Sequence, residues 1–122
     1  MTPMPEPVTL AQARAALAAL RPRLATLVAV RADLAELRAD LAAGAPSRLG
    51  GMAEAKGLEA RFYAELERLA DRGAQVKGWA PLLLDWPGVR DRVPVLWCWL
   101  EGEGGIDWYH RLDCGFAGRR RV

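Results

Sequence analysis

Apolar residues recur at helical spacing through the first third of the chain. Leu10, Leu17 and Leu24 repeat every seven residues. A second row with the same spacing contains Ala13, Leu20, Leu27, Leu34 and Leu41. Two interleaved rows of this kind form a heptad-like seam along one helix face. We therefore predict a long helix over residues 9–43, about 50 Å in length at about 1.5 Å per residue.

The ends of this helix carry recognisable signals. Thr9 followed by Gln12 fits a capping box at the start. Pro22 removes one helical hydrogen bond, so we expect a kink near Pro22 or two helices that meet there. Gly44 predicts the end of the helix and a loop. Residues 1–8 contain three prolines and predict an extended, poorly ordered lead-in.

A second helix is predicted over residues 52–72, with Gly73 as its C-cap. The two helices should form an antiparallel hairpin. Because the first helix is the longer, we expect the sheet or a second copy of the chain to cover the rest of its seam. We predict a homodimer whose seam contains Leu17, Leu20, Leu24, Leu27, Leu34 and Leu41.

The periodicity becomes strand-like in residues 74–122. Segments 74–76, 82–84, 95–100 and 106–112 are candidate strands, and residues 85–88 predict a turn. Both faces of the 95–100 strand are apolar, so both should be covered. Most of the five tryptophans should lie in the core or at an interface. We predict one α+β domain over residues 1–122: a long antiparallel helical hairpin followed by a small three- to four-stranded antiparallel sheet.

Composition narrows the class of protein. Hydrophobic residues make up 52% and charged residues 26% of the 122 positions, which is typical of a folded soluble chain. The net charge of +2 is too small to attract nucleic acid or a membrane by itself. The sequence shows no CxxC pair, signal peptide or membrane span, so we expect a reduced, cytoplasmic protein with no membrane partner.

Most of the chain resembles a known family, and the most specific matches lie towards its C-terminus. The matching segments are Val76-Lys77, Leu84-Asp85-Trp86-Pro87, Val95-Leu96-Trp97-Cys98-Trp99, Trp108-Tyr109-His110 and Gly115-Phe116-Ala117-Gly118-Arg119. They resemble the uncharacterised bacterial family called domain of unknown function 2203, which also has a helical front half. Trp86 stands where Phe is usual, and Arg121 stands where Pro is usual. The resemblance implies a fold and brings no established activity.

His110 is the only histidine. A cluster of Cys98, His110, Asp113 and Cys114 lacks known metal-ligand spacing, so we assign no metal site within one chain. We expect His110 to be hydrogen-bonded to Asp85 or Asp113. The alternative is a metal held by two His110 copies across a dimer axis, with Asp113 or Cys114.

Glycines and arginines near the C-terminus form the strongest candidate binding surface. Glycine lets backbone N–H groups approach an anion, and guanidinium groups match phosphate oxygens. The candidate anion or ligand residues are His110, Arg111, Asp113, Gly115, Gly118, Arg119 and Arg120, with aromatic contacts from Trp108, Tyr109 and Phe116. In the structural alternative Arg119 pairs with Asp85 or Asp113. Glu101 and Glu103 are interpreted as ordinary loop charges, Cys98 as a buried apolar residue, and Cys114 as a candidate reactive thiol.

These observations favour a non-enzymatic, self-associating interaction or scaffold protein. The first alternative is a nucleotide, nucleic-acid or other anion-binding module that uses the C-terminal arginines and aromatics. The second is a small metal-binding protein or enzyme centred on His110. We assign no catalytic residue and no cofactor.

Overall fold

The computed structural model describes residues 6–122. Two helices, α1 (Leu10–Ala42) and α2 (Met52–Asp71), precede an antiparallel sheet. Its five strands are β1 (Gln75–Trp79), β2 (Leu82–Arg90), β3 (Val93–Leu100), β4 (Trp108–Arg111) and β5 (Arg120–Arg121). The α+β prediction is confirmed, with five strands in place of three or four. The described chain forms two compact units, residues 6–19 with Leu69–Val122, and Leu20–Arg68.

Local side-chain chemistry sets the helix ends. The Gln12 N–H donates to Thr9 Oγ1 at 3.0 Å, and the Thr9 N–H donates to Gln12 Oε1 at 2.9 Å, so the predicted capping box is confirmed. Gly44 and Gly73 follow the two helices with φ of 65° and 88°. Glycine adopts this left-handed conformation without the steric cost of a Cβ atom.

α1 is one helix across Pro22, so the alternative of two separate helices is wrong. The Leu20–Arg68 unit contains most of α1 and nearly all of α2. The buried stripe of α1 in this unit contains Leu20, Leu24, Leu27, Val30, Leu34 and Leu37. Its spacing of three and four residues is that of a helix face packed on a partner helix. The ion pair between Arg38 Nη2 and Glu59 Oε2, 2.8 Å long, joins α1 to α2 within this unit.

The predicted dimer rests on the premise that the leucine seam is exposed, and the burial of these leucines contradicts that premise. Five of its six leucines are already covered within one copy, with exposed fractions of 0–5%: Leu17, Leu20, Leu24, Leu27 and Leu34. Leu41 is half-buried. The first turns of α1 belong to the same unit as the sheet, and Ala13 and Leu17 are buried there. The seam is therefore largely covered within one copy and is not an open surface.

The strands follow one another in the sheet in chain order, β1-β2-β3-β4-β5. Residues Val95, Leu96, Trp97, Cys98 and Trp99 of β3 are all buried, which confirms that both faces of this strand are covered. Trp86, Trp97 and Trp99 are core residues, whereas Trp79 is 51% exposed.

The predicted turn at residues 85–88 is wrong, because β2 continues through it to Arg90. β1 pairs with β2 only as far as Asp85, so Pro87 lies beyond that ladder. The Pro87 carbonyl points away from β3 and accepts from the Val8 N–H at 2.8 Å. Since a strand residue's N–H and C=O point the same way, the missing N–H of Pro87 costs no bond to β3.

Residues 6–19 are tied to the sheet of their unit. The Trp97 Nε1–H donates to the Val8 carbonyl at 2.9 Å. The Arg14 guanidinium donates to the Ile106 carbonyl at 3.0 and 3.2 Å. Val8, the last residue of the predicted lead-in, is thus hydrogen-bonded to the sheet. Residues 1–5 of the lead-in lie outside the described residues. Among residues 6–122, no helix is long and apolar enough to cross a membrane.

Candidate metal centre

Strand register brings three polar side chains together on one face of the sheet. Asp85 on β2 is the direct partner of Cys98 on β3. His110 on β4 pairs with Leu96, two residues before Cys98, and therefore stands diagonally across from Cys98. Because side chains two residues apart share a strand face, Asp85, Cys98 and His110 occupy the same face. We call this set the Asp85–Cys98–His110 cluster.

The cluster is buried and compact. The exposed fractions are 1% for Asp85, 0% for Cys98 and 4% for His110. One ligand atom from each, a carboxylate oxygen, the Sγ and a ring nitrogen, lies within 4.8 Å of the other two. Burying polar groups is costly unless they are paired or bind a metal. The three side chains are therefore expected to pair with one another or to bind a metal.

The orientation of His110 is set by its neighbour in β4. Nδ1 lies 2.8 Å from the Arg111 carbonyl oxygen, which can only accept, so Nδ1 carries a hydrogen. Nε2 is then turned towards Asp85 Oδ2 at 3.2 Å. The predicted contact of His110 with Asp85 is confirmed. In the metal-free chain a proton must lie between Nε2 and Asp85 Oδ2 for this contact to be a hydrogen bond. A metal ion that took the place of that proton would be bound through the Nε2 lone pair, as in metal-binding histidines.

Asp85 and Cys98 complete the set of donors. Within the described part of the chain, Asp85 Oδ1 has no hydrogen-bond partner although it is buried. Burial raises the pKa of the Cys98 thiol to about 12, and the charge of the neighbouring Asp85 carboxylate adds to the shift. Such a thiol is a poor nucleophile without a metal. The raised pKa therefore does not favour Cys98 as a nucleophile.

A small cavity gives access to two members of the cluster. Its volume is about 200 Å³, and Asp85 and His110 line it. The other lining residues are Lys77, Leu83, Leu96, Leu112, Gly115 and Phe116. The cavity is large enough for water or a small anion, and Lys77 adds a positive charge to its wall.

The predicted C-terminal anion set does not converge on one place. Arg119 is only 10% exposed and pairs with Glu103 Oε1 at 2.6 Å, so the predicted pairing with Asp85 or Asp113 is wrong. Its guanidinium carbon also lies 4.9 Å from the Trp108 ring centre and 4.8 Å from that of Phe116. Arg119 therefore has a structural role: it joins Glu103 to the rings of Trp108 and Phe116, and we call this set of contacts the clamp.

The two loop glutamates are structural as well. Glu103 Oε1 accepts from the Leu100 N–H at 2.7 Å, and Glu101 Oε1 accepts from the Leu82 N–H at 2.9 Å. Both therefore satisfy backbone groups at the ends of strands. The interpretation of these residues as ordinary loop charges is wrong.

Asp113 is engaged away from the cluster. It accepts two hydrogen bonds from Arg111, at 3.0 and 2.5 Å, and both residues are exposed. The hydrogen bond from Arg111 lowers the pKa of Asp113, and the same bond raises that of Arg111. Cys114 is exposed and free, and Cys98 is buried and free.

Sequence reasoning missed Asp85 as a site residue. Its position inside the apolar run Leu82-Leu83-Leu84-Asp85-Trp86 was the available signal. A carboxylate in a strand covered on both faces must find a partner. What the sequence could not provide was the register that selects Cys98 and His110 as neighbours.

The glycines of the C-terminal segment shape the loop that follows β4. Gly115 has φ 60° and ψ −164°, a conformation open essentially to glycine alone. A Cβ atom on Gly118 would overlap Cys114. The spacing of Gly115 and Gly118 is thus a requirement of the backbone. It is not in itself an anion site.

Comparison with known protein families identifies the family to which the chain belongs. The family described as "Uncharacterized conserved protein (DUF2203)" matches residues 8–122. The chain belongs to this family. No curated protein and no solved structure matches the chain. Membership in DUF2203 brings no activity, so function must be argued from the Asp85–Cys98–His110 cluster and its surroundings.

Proposed function

We propose that this DUF2203 protein binds one transition-metal ion of the zinc class through Asp85, Cys98 and His110. The supporting observation is the convergence of three buried ligand atoms from three adjacent strands within 4.8 Å of one another. Sulfur, imidazole nitrogen and carboxylate oxygen are the donors that zinc takes in proteins. A bound cation would also give Asp85 Oδ1 the partner that it lacks among the described residues.

Zinc ligands lie about 2.0–2.3 Å from the ion. In a tetrahedral site the ligand atoms are then about 3.5 Å apart, so donors that now lie up to 4.8 Å apart would close by at most about 1.3 Å. Three protein ligands leave the fourth position for a small molecule, as in catalytic zinc sites. The cavity beside Asp85 and His110 supplies room for it. The Nδ1–H bond from His110 to the Arg111 carbonyl is the outer contact that orients such a ligand.

Metal content tests this proposal. The full chain is loaded with Zn²⁺, desalted and analysed by elemental mass spectrometry against protein concentration. We expect about one zinc per chain, retained in Cys114→Ser and lost in Cys98→Ala and His110→Ala. Cys114→Ser is the matched control because Cys114 is an exposed free thiol outside the cluster. Equal zinc content in Cys98→Ala and the unmodified protein would overturn the proposal.

Self-association remains a separate prediction, as does a cytoplasmic location. The leucine seam no longer supports a dimer, because those leucines are buried in one copy. Any dimer would therefore use another surface. Light scattering on the purified chain would measure its mass, and a monomeric mass at micromolar concentration would contradict the predicted homodimer.

A further inference from the structure

A second cavity lies on the opposite face of the sheet from the Asp85–Cys98–His110 cluster. Val95 and Tyr109 line it, whereas their chain neighbours Leu96 and His110 line the cavity beside the cluster. Adjacent residues of a strand point to opposite faces, so the two cavities are on different sides of the sheet. The volume of this second cavity is about 250 Å³.

Three arginines from three strands line the second cavity. Arg90 ends β2, Arg111 ends β4 and Arg120 begins β5. Asp91 is the acidic residue in the described lining. Converging guanidinium groups repel one another, and an anion bound among them relieves that repulsion. The lining therefore has the electrostatic character of an anion site.

Contacts within the sheet hold these arginines in place. The Arg90 guanidinium carbon lies 4.5 Å from the centre of the Tyr109 ring. Arg120 is the cross-strand partner of Tyr109. Arg111 is paired with the exposed Asp113, whose negative charge offsets part of that of the guanidinium. Groups held in advance lose less conformational entropy when a ligand binds.

The rim of the cavity has an unusual backbone. Asp91 and Arg92, which join β2 to β3, have φ of 51° and 66°. Both are left-handed, which fits the tight turn of a two-residue hairpin but is costly for an arginine. This turn directly follows Arg90. The hairpin turn therefore fixes the position of Arg90 at the end of β2.

We infer that the cavity lined by Arg90, Arg111 and Arg120 binds a phosphate group of a small phosphorylated ligand. Guanidinium groups match phosphate oxygens in pairs and keep their charge at any physiological pH. The site uses Arg111 and Arg120 from the anion set predicted by sequence and adds Arg90, while Arg119 belongs to the clamp with Glu103. It does not depend on the proposed metal, because it lies on the other face of the sheet.

Calorimetric titration of the full chain with pyrophosphate at low ionic strength tests this site. Arg90→Ala and Arg120→Ala should each weaken binding about tenfold, which is the effect of losing one charged hydrogen bond. Arg61→Ala is the matched control, since it removes the same charge from the exposed face of α2. Binding should also weaken as salt is raised. No binding by the folded protein, or an equal loss in Arg61→Ala, would overturn the inference.

A gain of affinity provides a second test that misfolding cannot mimic. Asp113→Asn removes an exposed negative charge next to Arg111. Pyrophosphate should bind a few-fold more tightly to this variant. Unchanged or weaker binding would contradict the assigned role of Arg111.

A short single-stranded oligonucleotide distinguishes a local phosphate site from an extended nucleic-acid surface. If it binds, pyrophosphate should displace it. Oligonucleotide binding that excess pyrophosphate does not reduce would overturn the inference in favour of a nucleic-acid surface.

Discussion

His110 Nε2 lies 3.2 Å from Asp85 Oδ2, with 4% and 1% of the two residues exposed. The two residues are 25 positions apart in the chain, and the strand register of β2, β3 and β4 brings them together. Both side chains are almost wholly withdrawn from bulk water. The interaction energy between the two side chains should therefore be large enough to measure in the metal-free protein.

His110→Ala should destabilise the metal-free protein by about 3–5 kcal/mol, because it leaves the Asp85 carboxylate buried without the imidazole. Urea unfolding in the presence of a chelator measures this cost. The double variant Asp85→Ala/His110→Ala should cost less than the sum of the two single variants, by about 1–3 kcal/mol. Additive costs would show that the two side chains do not interact in solution.

The two thiols should differ in reactivity with pH. Because the pKa of Cys98 is raised from 9.0 to about 12, this thiol should stay unmodified by an alkylating reagent at pH 8–9. Cys114 is exposed and should react. Mass spectrometry of the native metal-free chain should find one label, and the denatured chain should take two. Two labels on the native chain at pH 8 would contradict the burial of Cys98.

The same pKa shift predicts how stability changes in alkaline solution. Above pH 9 the unfolded chain loses the Cys98 proton while the folded chain keeps it. Stability should therefore fall as pH rises from 9 towards 12. Cys98→Ala should lack this contribution. The measurement is the difference in unfolding free energy between the two proteins across this range, and a difference that is independent of pH would contradict the shift.

Arg119 should be important for stability and replaceable only poorly by lysine. It joins Glu103 at 2.6 Å and lies over two aromatic rings, a geometry that depends on a planar guanidinium. Arg119→Lys should cost about 1–2 kcal/mol and Arg119→Ala about 2–4 kcal/mol. Arg120→Ala, on an exposed neighbour, should cost less than about 0.5 kcal/mol in thermal or urea unfolding. Equal costs at both positions would exclude the clamp.

Gly88 should not tolerate a methyl group. A Cβ atom there would overlap the Trp97 indole, so Gly88→Ala should cost about 1–3 kcal/mol. Gly105→Ala, with no atom of the described chain near the added Cβ, is the control and should stay within about 0.5 kcal/mol. A neutral Gly88→Ala in urea unfolding would mean that the indole packs elsewhere.

Local signals in the sequence predicted the helices well and the sheet less well. The Thr9–Gln12 capping box and the glycines after each helix act through near neighbours, so they can be read directly. Pro87 and Gly88 resemble a turn, yet they serve contacts with Val8 and Trp97 that are distant in sequence. Their meaning depends on the folded sheet.

The candidate site likewise combines residues that the sequence reveals locally with contacts that only the folded sheet reveals. The sequence predicted His110 as a candidate site residue, Cys98 as a buried apolar residue and Asp85 as one of two possible partners of His110, but it did not predict the three as one site. Asp85 lies 25 positions before His110, whereas Asp113 lies three positions after it and is bonded to Arg111. The sequence left both carboxylates open as partners of His110 and placed only Asp113 in the candidate metal cluster, because only strand register decides which side chains meet.

Titration with Co²⁺ tests the central claim most directly. A cobalt ion bound by a thiolate gives an intense sulfur-to-metal charge-transfer band in the near ultraviolet. We predict a band that saturates at one cobalt per chain, persists in Cys114→Ser and disappears in Cys98→Ser. The absence of a thiolate band in the folded protein, or a band that requires Cys114 and not Cys98, would contradict metal binding at the Asp85–Cys98–His110 cluster.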